Sequence, residues 1–183
     1  MKGALLSSDN ARVNSAASTY RPPSDHYENF PVASWFCPPA LRAPIAAIYW
    51  FARTADDIAD EGQNAADRRL TELAQYRDDL HRSSCGQPTS TRWPDVFDPL
   101  GPMIARFQLP VALLENLLDA FEQDVRFTAS AQRYRNDAEL HAYCRLSANP
   151  VGRLLLHLYG IQDSVSLQRS DQMITQIIPV RRA

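Results

Sequence analysis

The sequence has no excess of basic residues. Nineteen Lys and Arg stand against 21 Asp and Glu, for a formal net charge of -2. The cations are scattered, the densest groups being Arg68-Arg69 and Arg181-Arg182. A nucleic-acid surface needs positive charge gathered on one face, so no nucleic-acid partner is expected. Cysteine is scarce: Cys37, Cys85 and Cys144 are an odd set without metal-ligand spacing. That argues against a disulfide framework and fits a reduced, cytoplasmic setting. The four histidines, His26, His81, His141 and His157, form no paired-ligand motif. Long apolar runs are missing as well. Ala4-Leu5-Leu6 is too short for a signal peptide, and no segment approaches the ~20 apolar residues of a membrane span. A lipid substrate would therefore be met at a bilayer surface, with the protein peripheral to the inner membrane. Finally, no alternating strand pattern, internal repeat or persistent heptad is found, which excludes a sheet protein and a coiled coil.

What remains is helical periodicity. The chain has 183 residues, 45% of them hydrophobic and 22% charged, enough for one domain with a real core. Residues 1–24, rich in Ser, Ala, Asn and Asp, read as a poorly ordered leader, and residues 25–183 as the folded part. Leu41, Ile45, Ile48, Ala52, Ala55 and Ala59 follow steps of three and four, predicting a helix from Pro38 to about Gly62. Pro44 either kinks that helix or starts its main part. A second helix is expected from Ala65 to about His81, with Leu70, Leu73 and Leu80 inward. Residues 83–94 read as a loop. Val96, Phe97, Leu100, Ile104 and Phe107 predict a helix interrupted at Gly101-Pro102. Pro110 opens another, with Leu114, Leu118, Phe121 and Val125 aligned. A further stretch runs from Asp137 to Leu146, breaks at Asn149-Pro150 and resumes from Val151 to Tyr159. The fold class is all-α, an irregular helical bundle.

The segment Tyr49-Trp50-Phe51-Ala52-Arg53-Thr54-Ala55-Asp56-Asp57-Ile58-Ala59-Asp60-Glu61 carries the chemistry. Asp56 and Asp60 are one helical turn apart and share a face. Continued backwards, that face passes through Arg53 and Tyr49. It borders the apolar line instead of opposing it. Two like charges one turn apart disfavour the helix by a few tenths of a kcal/mol, and the helix C-terminus disfavours anions further. A bridging cation would offset both. Magnesium is usually held by one or two carboxylates together with substrate phosphates, and an arginine on the same face can add a contact to phosphate oxygens. The alternative is a solvated acidic helix end.

The acidic motif follows His26-Tyr27-Glu28-Asn29-Phe30-Pro31-Val32-Ala33-Ser34 and Pro38-Pro39-Ala40-Leu41-Arg42. It precedes Tyr143-Cys144-Arg145-Leu146-Ser147-Ala148-Asn149-Pro150-Val151-Gly152-Arg153. In that order and spacing, from about residue 26 to Gly160, the chain resembles the squalene/phytoene synthase family, and within it the hydroxysqualene synthase branch of hopanoid biosynthesis. The resemblance implies an isoprenoid-synthase fold around an apolar cavity and a magnesium-dependent enzyme acting on presqualene or farnesyl diphosphate. In that branch presqualene diphosphate ionises and water captures the carbocation. By matching position, Asp56, Asp57 and Asp60 form the first aspartate-rich motif. Asp56 and Asp60 are the implied magnesium ligands, and Arg53 and Asp57 the diphosphate side. Tyr49 would lie beside them, or serve as a packed aromatic. Asp124 would face the cavity, or make a helix-edge salt bridge. Tyr143 would line the cavity.

The family continues to a second aspartate-rich helix. Here only Asp163 and Asp171 follow residue 160, and they are not paired. The chain enters what resembles the start of that helix at Ser170 and ends in Pro179-Val180-Arg181-Arg182-Ala183. A frameshift, an early stop or an artificial end point would all produce such an ending. The fold is therefore expected to be incomplete at its C-terminus, the activity impaired, and the chain prone to self-association. Two other functions stand beside this one: a different aspartate-rich prenyltransferase or cyclase, and a noncatalytic helical interaction protein.

Overall fold

The structure, a computed structural model, describes residues 37–60 and 65–177, with side chains through 173. The leader at 1–24, the segment His26–Ser34 and the residues after 177 lie outside it. Among the described residues there are seven helices and no strand. They are α1 (Pro39–Asp60), α2 (Ala66–Ser84), α3 (Pro94–Phe107), α4 (Val111–Ala129), α5 (Asp137–Ser147), α6 (Asn149–Leu158) and α7 (Ser164–Ile177). The central helix is α4, which packs on α1, α2, α5 and α6.

Helix α1 runs as one piece with Pro44 inside it and buried. Its buried line is Pro44, Ile48, Phe51, Ala55 and Ala59, with Ala46, Ala47 and Trp50 beside it. Phe51 takes the place expected for Ala52, because the larger ring fills the space between α2 and α3. It stacks on Tyr76 at 5.2 Å between centroids and meets Phe97 edge-on at 6.2 Å. Tyr76, fully buried, donates its hydroxyl to the Phe51 carbonyl at 3.0 Å. That bond satisfies a polar atom which would otherwise cost ~1–3 kcal/mol to bury. Leu73, Leu80, Leu100, Leu114, Leu118 and Leu154 complete the core.

Sequence periodicity misjudges α3. The helix is continuous through Gly101 and Pro102, and also contains Pro99. Each interior proline removes a hydrogen bond and crowds the carbonyl four residues back, and the burial of Val96, Phe97, Leu100 and Ile104 holds the helix together against that cost. Gly101 is not a breaker here but a close-approach point. A Cβ at this position would lie 2.8 Å from Ser83 Oγ, so the bare Cα lets α3 rest on the end of α2. That end closes on Gly86, whose φ of +66° suits glycine. The loop after it is tied down by Asp79, a buried carboxylate that accepts from both the backbone N–H and the hydroxyl of Ser90.

The break between α5 and α6 falls at Ala148, one residue before the expected position. Pro150 sits in the first turn of α6, where its missing N–H costs nothing. Helix α5 starts on Asn136, whose side chain accepts from the Glu139 N–H at 2.9 Å. Helix α7 begins at Ser164, earlier than Ser170. None of its described side chains is buried, and it is held to α6 by a two-pronged pair between Arg153 and Asp171, at 2.6 and 3.1 Å.

Candidate functional site

The last two turns of α1 present Arg53, Asp56, Asp57 and Asp60 along one edge of the buried line. Ala55 and Ala59 are buried while Asp56 and Asp57 are half-buried and Asp60 is exposed. The guanidinium of Arg53 bridges two carboxylates, with Nη1 3.3 Å from Asp56 Oδ2 and Nη2 2.6 Å from Asp57 Oδ1. Asp57 thus holds the arginine at the acidic end of the helix. Tyr49, one turn earlier, meets the ring of Trp50 edge-on at 5.2 Å.

The end of α1 is fixed by a residue the sequence did not single out. Arg69 of α2 donates to the Ala59 carbonyl. It thereby caps one of the carbonyls a helix C-terminus leaves open and places positive charge there. Among the described residues its Nε is buried without a hydrogen-bond partner. The two groups stand ten positions apart in the sequence, so no local motif marks them.

Across from this edge, α4 and α5 bring Asp124 and Tyr143 together. The Tyr143 hydroxyl donates to Asp124 Oδ2 at 2.6 Å. Burial raises the proton affinity of Asp124, the Tyr143 hydrogen bond opposes that, and the charges of Asp60 and Asp56 raise it further. Asp56 is likewise raised, first by burial, then by Asp60, with Arg53 opposing and Asp57 adding. The three carboxylates Asp56, Asp60 and Asp124 therefore lie within one another's electrostatic reach across the α1–α4 packing. The Tyr143 phenol is pushed far above its ordinary value by burial and by its bond to Asp124. It stays protonated and remains a donor at any physiological pH.

A cavity of about 710 Å³ opens beside Asp124, lined also by Phe127, Arg133, Tyr134, Asn136 and Leu140. A second, of about 570 Å³, shares Phe127, Arg133 and Tyr134. Sequence reading overlooked Tyr134, a single aromatic in the polar run Gln132-Arg133-Tyr134-Arg135. That isolation was the available signal. Among the described residues no group of three or more His, Cys, Asp or Glu side chains is arranged to hold a metal ion, and no helix is long and apolar enough to cross a membrane.

Residues 24–175 match the family model described as squalene/phytoene synthase. The hydroxysqualene synthase of Sinorhizobium fredii is 43% identical over 133 residues, 73% of this chain and 42% of that protein. The hydroxysqualene synthase of Rhodopseudomonas palustris is 37% identical, over 80% of this chain and 46% of that protein. The presqualene diphosphate synthase of Zymomonas mobilis is 30% identical, over 70% of this chain and 41% of that protein. The crystal structure of squalene synthase HpnC from Alicyclobacillus acidocaldarius superposes with a TM-score of 0.69 at 34% identity, covering 82% of this chain and 53% of that one. The chain spans less than half the length of these three curated relatives. With the family model covering most of the sequence and the same helical fold in a solved relative, the chain belongs to the squalene/phytoene synthase family, enzymes that process prenyl diphosphates.

Proposed function

We propose that these residues form the first diphosphate-binding face of a hydroxysqualene-forming synthase, which takes presqualene diphosphate, releases diphosphate and adds water. The observation that carries the proposal is the Arg53–Asp56–Asp57 cluster at the end of α1, within electrostatic reach of the Asp124 carboxylate that holds the Tyr143 hydroxyl. The hydroxysqualene synthases at 37–43% identity favour this branch of the family.

Asp56 and Asp60 suit magnesium. They supply the one or two carboxylates such a site uses, with the remaining positions left to water and phosphate oxygens. Burial first and the charge of Asp60 second raise the proton affinity of Asp56, and a divalent cation would relieve the second of these. When bound, magnesium would neutralise charge building on the departing diphosphate. Arg53, steadied by Asp57, stands ready to add charge-assisted bonds to phosphate oxygens. A carbocation that takes up water must shed one proton to yield the alcohol. Asp124, a half-buried carboxylate with raised proton affinity, is suited to receive it. On this reading the prenyl chain would arrive from a bilayer surface, with the enzyme working in the cytoplasm against the inner membrane.

The 183 residues on their own are expected to turn over poorly, because they carry one aspartate-rich face. A displacement of about 1 Å at a reacting group can cost roughly a hundredfold, and an absent second set of carboxylates should cost more. The test incubates the chain with presqualene diphosphate and magnesium. It then repeats the assay with a version extended by the remaining half of the Sinorhizobium fredii relative. Diphosphate release and hydroxysqualene only from the extended version, abolished by Asp56→Ala or Asp60→Ala, supports the proposal. Equal turnover by both, or turnover indifferent to these substitutions, refutes it.

A further inference from the structure

The connection between α4 and α5 is exposed along its whole length apart from one side chain. From Thr128 to Ala138 every residue is exposed except Tyr134. The loop makes its turn with Ala131 at a φ of +51°, a left-handed conformation that alanine rarely adopts. Backbone bonds from Gln132 N–H to the Phe127 carbonyl at 2.9 Å and from Ala131 N–H to the Thr128 carbonyl at 3.3 Å close the turn itself, and beyond it Tyr134 is the one side chain of the connection that is not exposed. Its ring lies 5.2 Å from that of Phe127 and 5.4 Å from that of Tyr143, inclined at 44° to each. Its phenol is raised to about 12, first by burial, then by the charge of Asp124, with Gln123 opposing. Tyr134 therefore packs against Tyr143 and lines the same cavity as Asp124, and both cavities at the loop are lined by it.

Tyr143 reaches Asp124 from α5, a helix with a single buried side chain, Cys144. From outside α5 the Tyr143 ring is held by the hydrogen bond to Asp124 at one end and by the Tyr134 ring inclined against it. We infer that Tyr134 is a positioning residue: it pins the α4–α5 loop over the Asp124–Tyr143 pair and holds the Tyr143 ring where its hydroxyl meets Asp124. This rests on the reading of that pair as part of the site.

The test separates the two. In the 183-residue chain with ¹³C-labelled tyrosine, Tyr134→Leu should shift or broaden the Tyr143 ring resonances, while the melting temperature stays within a few degrees because Tyr134 is half-exposed. Tyr134→Phe, which keeps the ring, should leave Tyr143 as in the parent. An unchanged Tyr143 in the leucine variant, or a phenylalanine variant that behaves like leucine, overturns the inference. In the extended version, Tyr134→Leu should lower kcat at least tenfold with KM changed less than twofold, and Tyr134→Phe should restore it. Tyr143 displaced in the spectra with full turnover would leave the positioning intact and instead remove the Asp124–Tyr143 pair from the proposed mechanism.

Discussion

At neutral pH Asp124 bears its charge in the field of Asp56 and Asp60. A carboxyl whose proton affinity is raised by folding adds stability below its unfolded value, near pH 3.9. That contribution is lost as pH rises through the folded value. Ionised Asp124 and Asp56 thus work against the fold at pH 7. Asp124→Asn keeps an acceptor for the Tyr143 hydroxyl and removes the charge. It should raise the melting temperature at pH 7, and the gain should vanish towards pH 3. A gain that persists at low pH would mean the charge is not the cause. Magnesium should do the same through Asp56 and Asp60. Saturation at a hundred times the dissociation constant is worth ~2.7 kcal/mol, or about 5–10 °C in a domain of this size. Differential scanning calorimetry should show that shift in the parent and its loss in Asp56→Asn. Of these groups, Asp56 and Asp60 are legible as a spacing, and Asp124 and Tyr143 only through resemblance to a family. Arg69 is not legible, because it acts on a residue of another helix with nothing in its own neighbourhood to announce it, and Tyr134 is marked only by its isolation in a polar run.

Among the elements, α3 shows where local rules yield to packing. Glycine followed by proline signals a break when read alone. In the fold, Gly101 lies against Ser83, and burial of Val96, Phe97, Leu100 and Ile104 outweighs the hydrogen bond that Pro102 removes. Glycine costs a helix interior ~1 kcal/mol relative to alanine. Gly101→Ala should recover less than this because its new methyl meets Ser83 Oγ, and it should recover nearly all of it in a Ser83→Ala background. Equal effects in both backgrounds, measured by urea unfolding, would show that the close approach carries no energy. Helix α1 teaches a related lesson. Its existence and its acidic face follow from periodicity, but the line of burial is displaced to Phe51 by a ring that fits between Tyr76 and Phe97. Phe51→Ala should cost ~3–5 kcal/mol, read in the same experiment.

In the molecule as a whole, the buried core runs through α1 to α4 and reaches α6 at Leu154 and Leu158. These two leucines are covered, whereas Val151, Tyr159, Ile161, Val165 and Met173 stand exposed around α6 and α7. A strip of this kind favours association. Light scattering should find self-association that weakens in a Val165→Glu, Met173→Glu variant; a monomer at high concentration would refute it. The sequence pattern could show that α6 is a helix, and family resemblance that a helix follows it, but not which of their faces lack cover, since that depends on neighbours brought from elsewhere. Helix α7 carries a further consequence. It touches α6 and α5, has no buried side chain among those described, and is tied to α6 by the Arg153–Asp171 pair. Cooperative units with few buried contacts open at a fraction of the global free energy. In deuterated water the amides of α7 should therefore exchange as a group of their own, far ahead of those in α2 and α4. Arg153→Gln should speed that exchange without touching theirs, so the protein has two opening events where a single melting curve would report one.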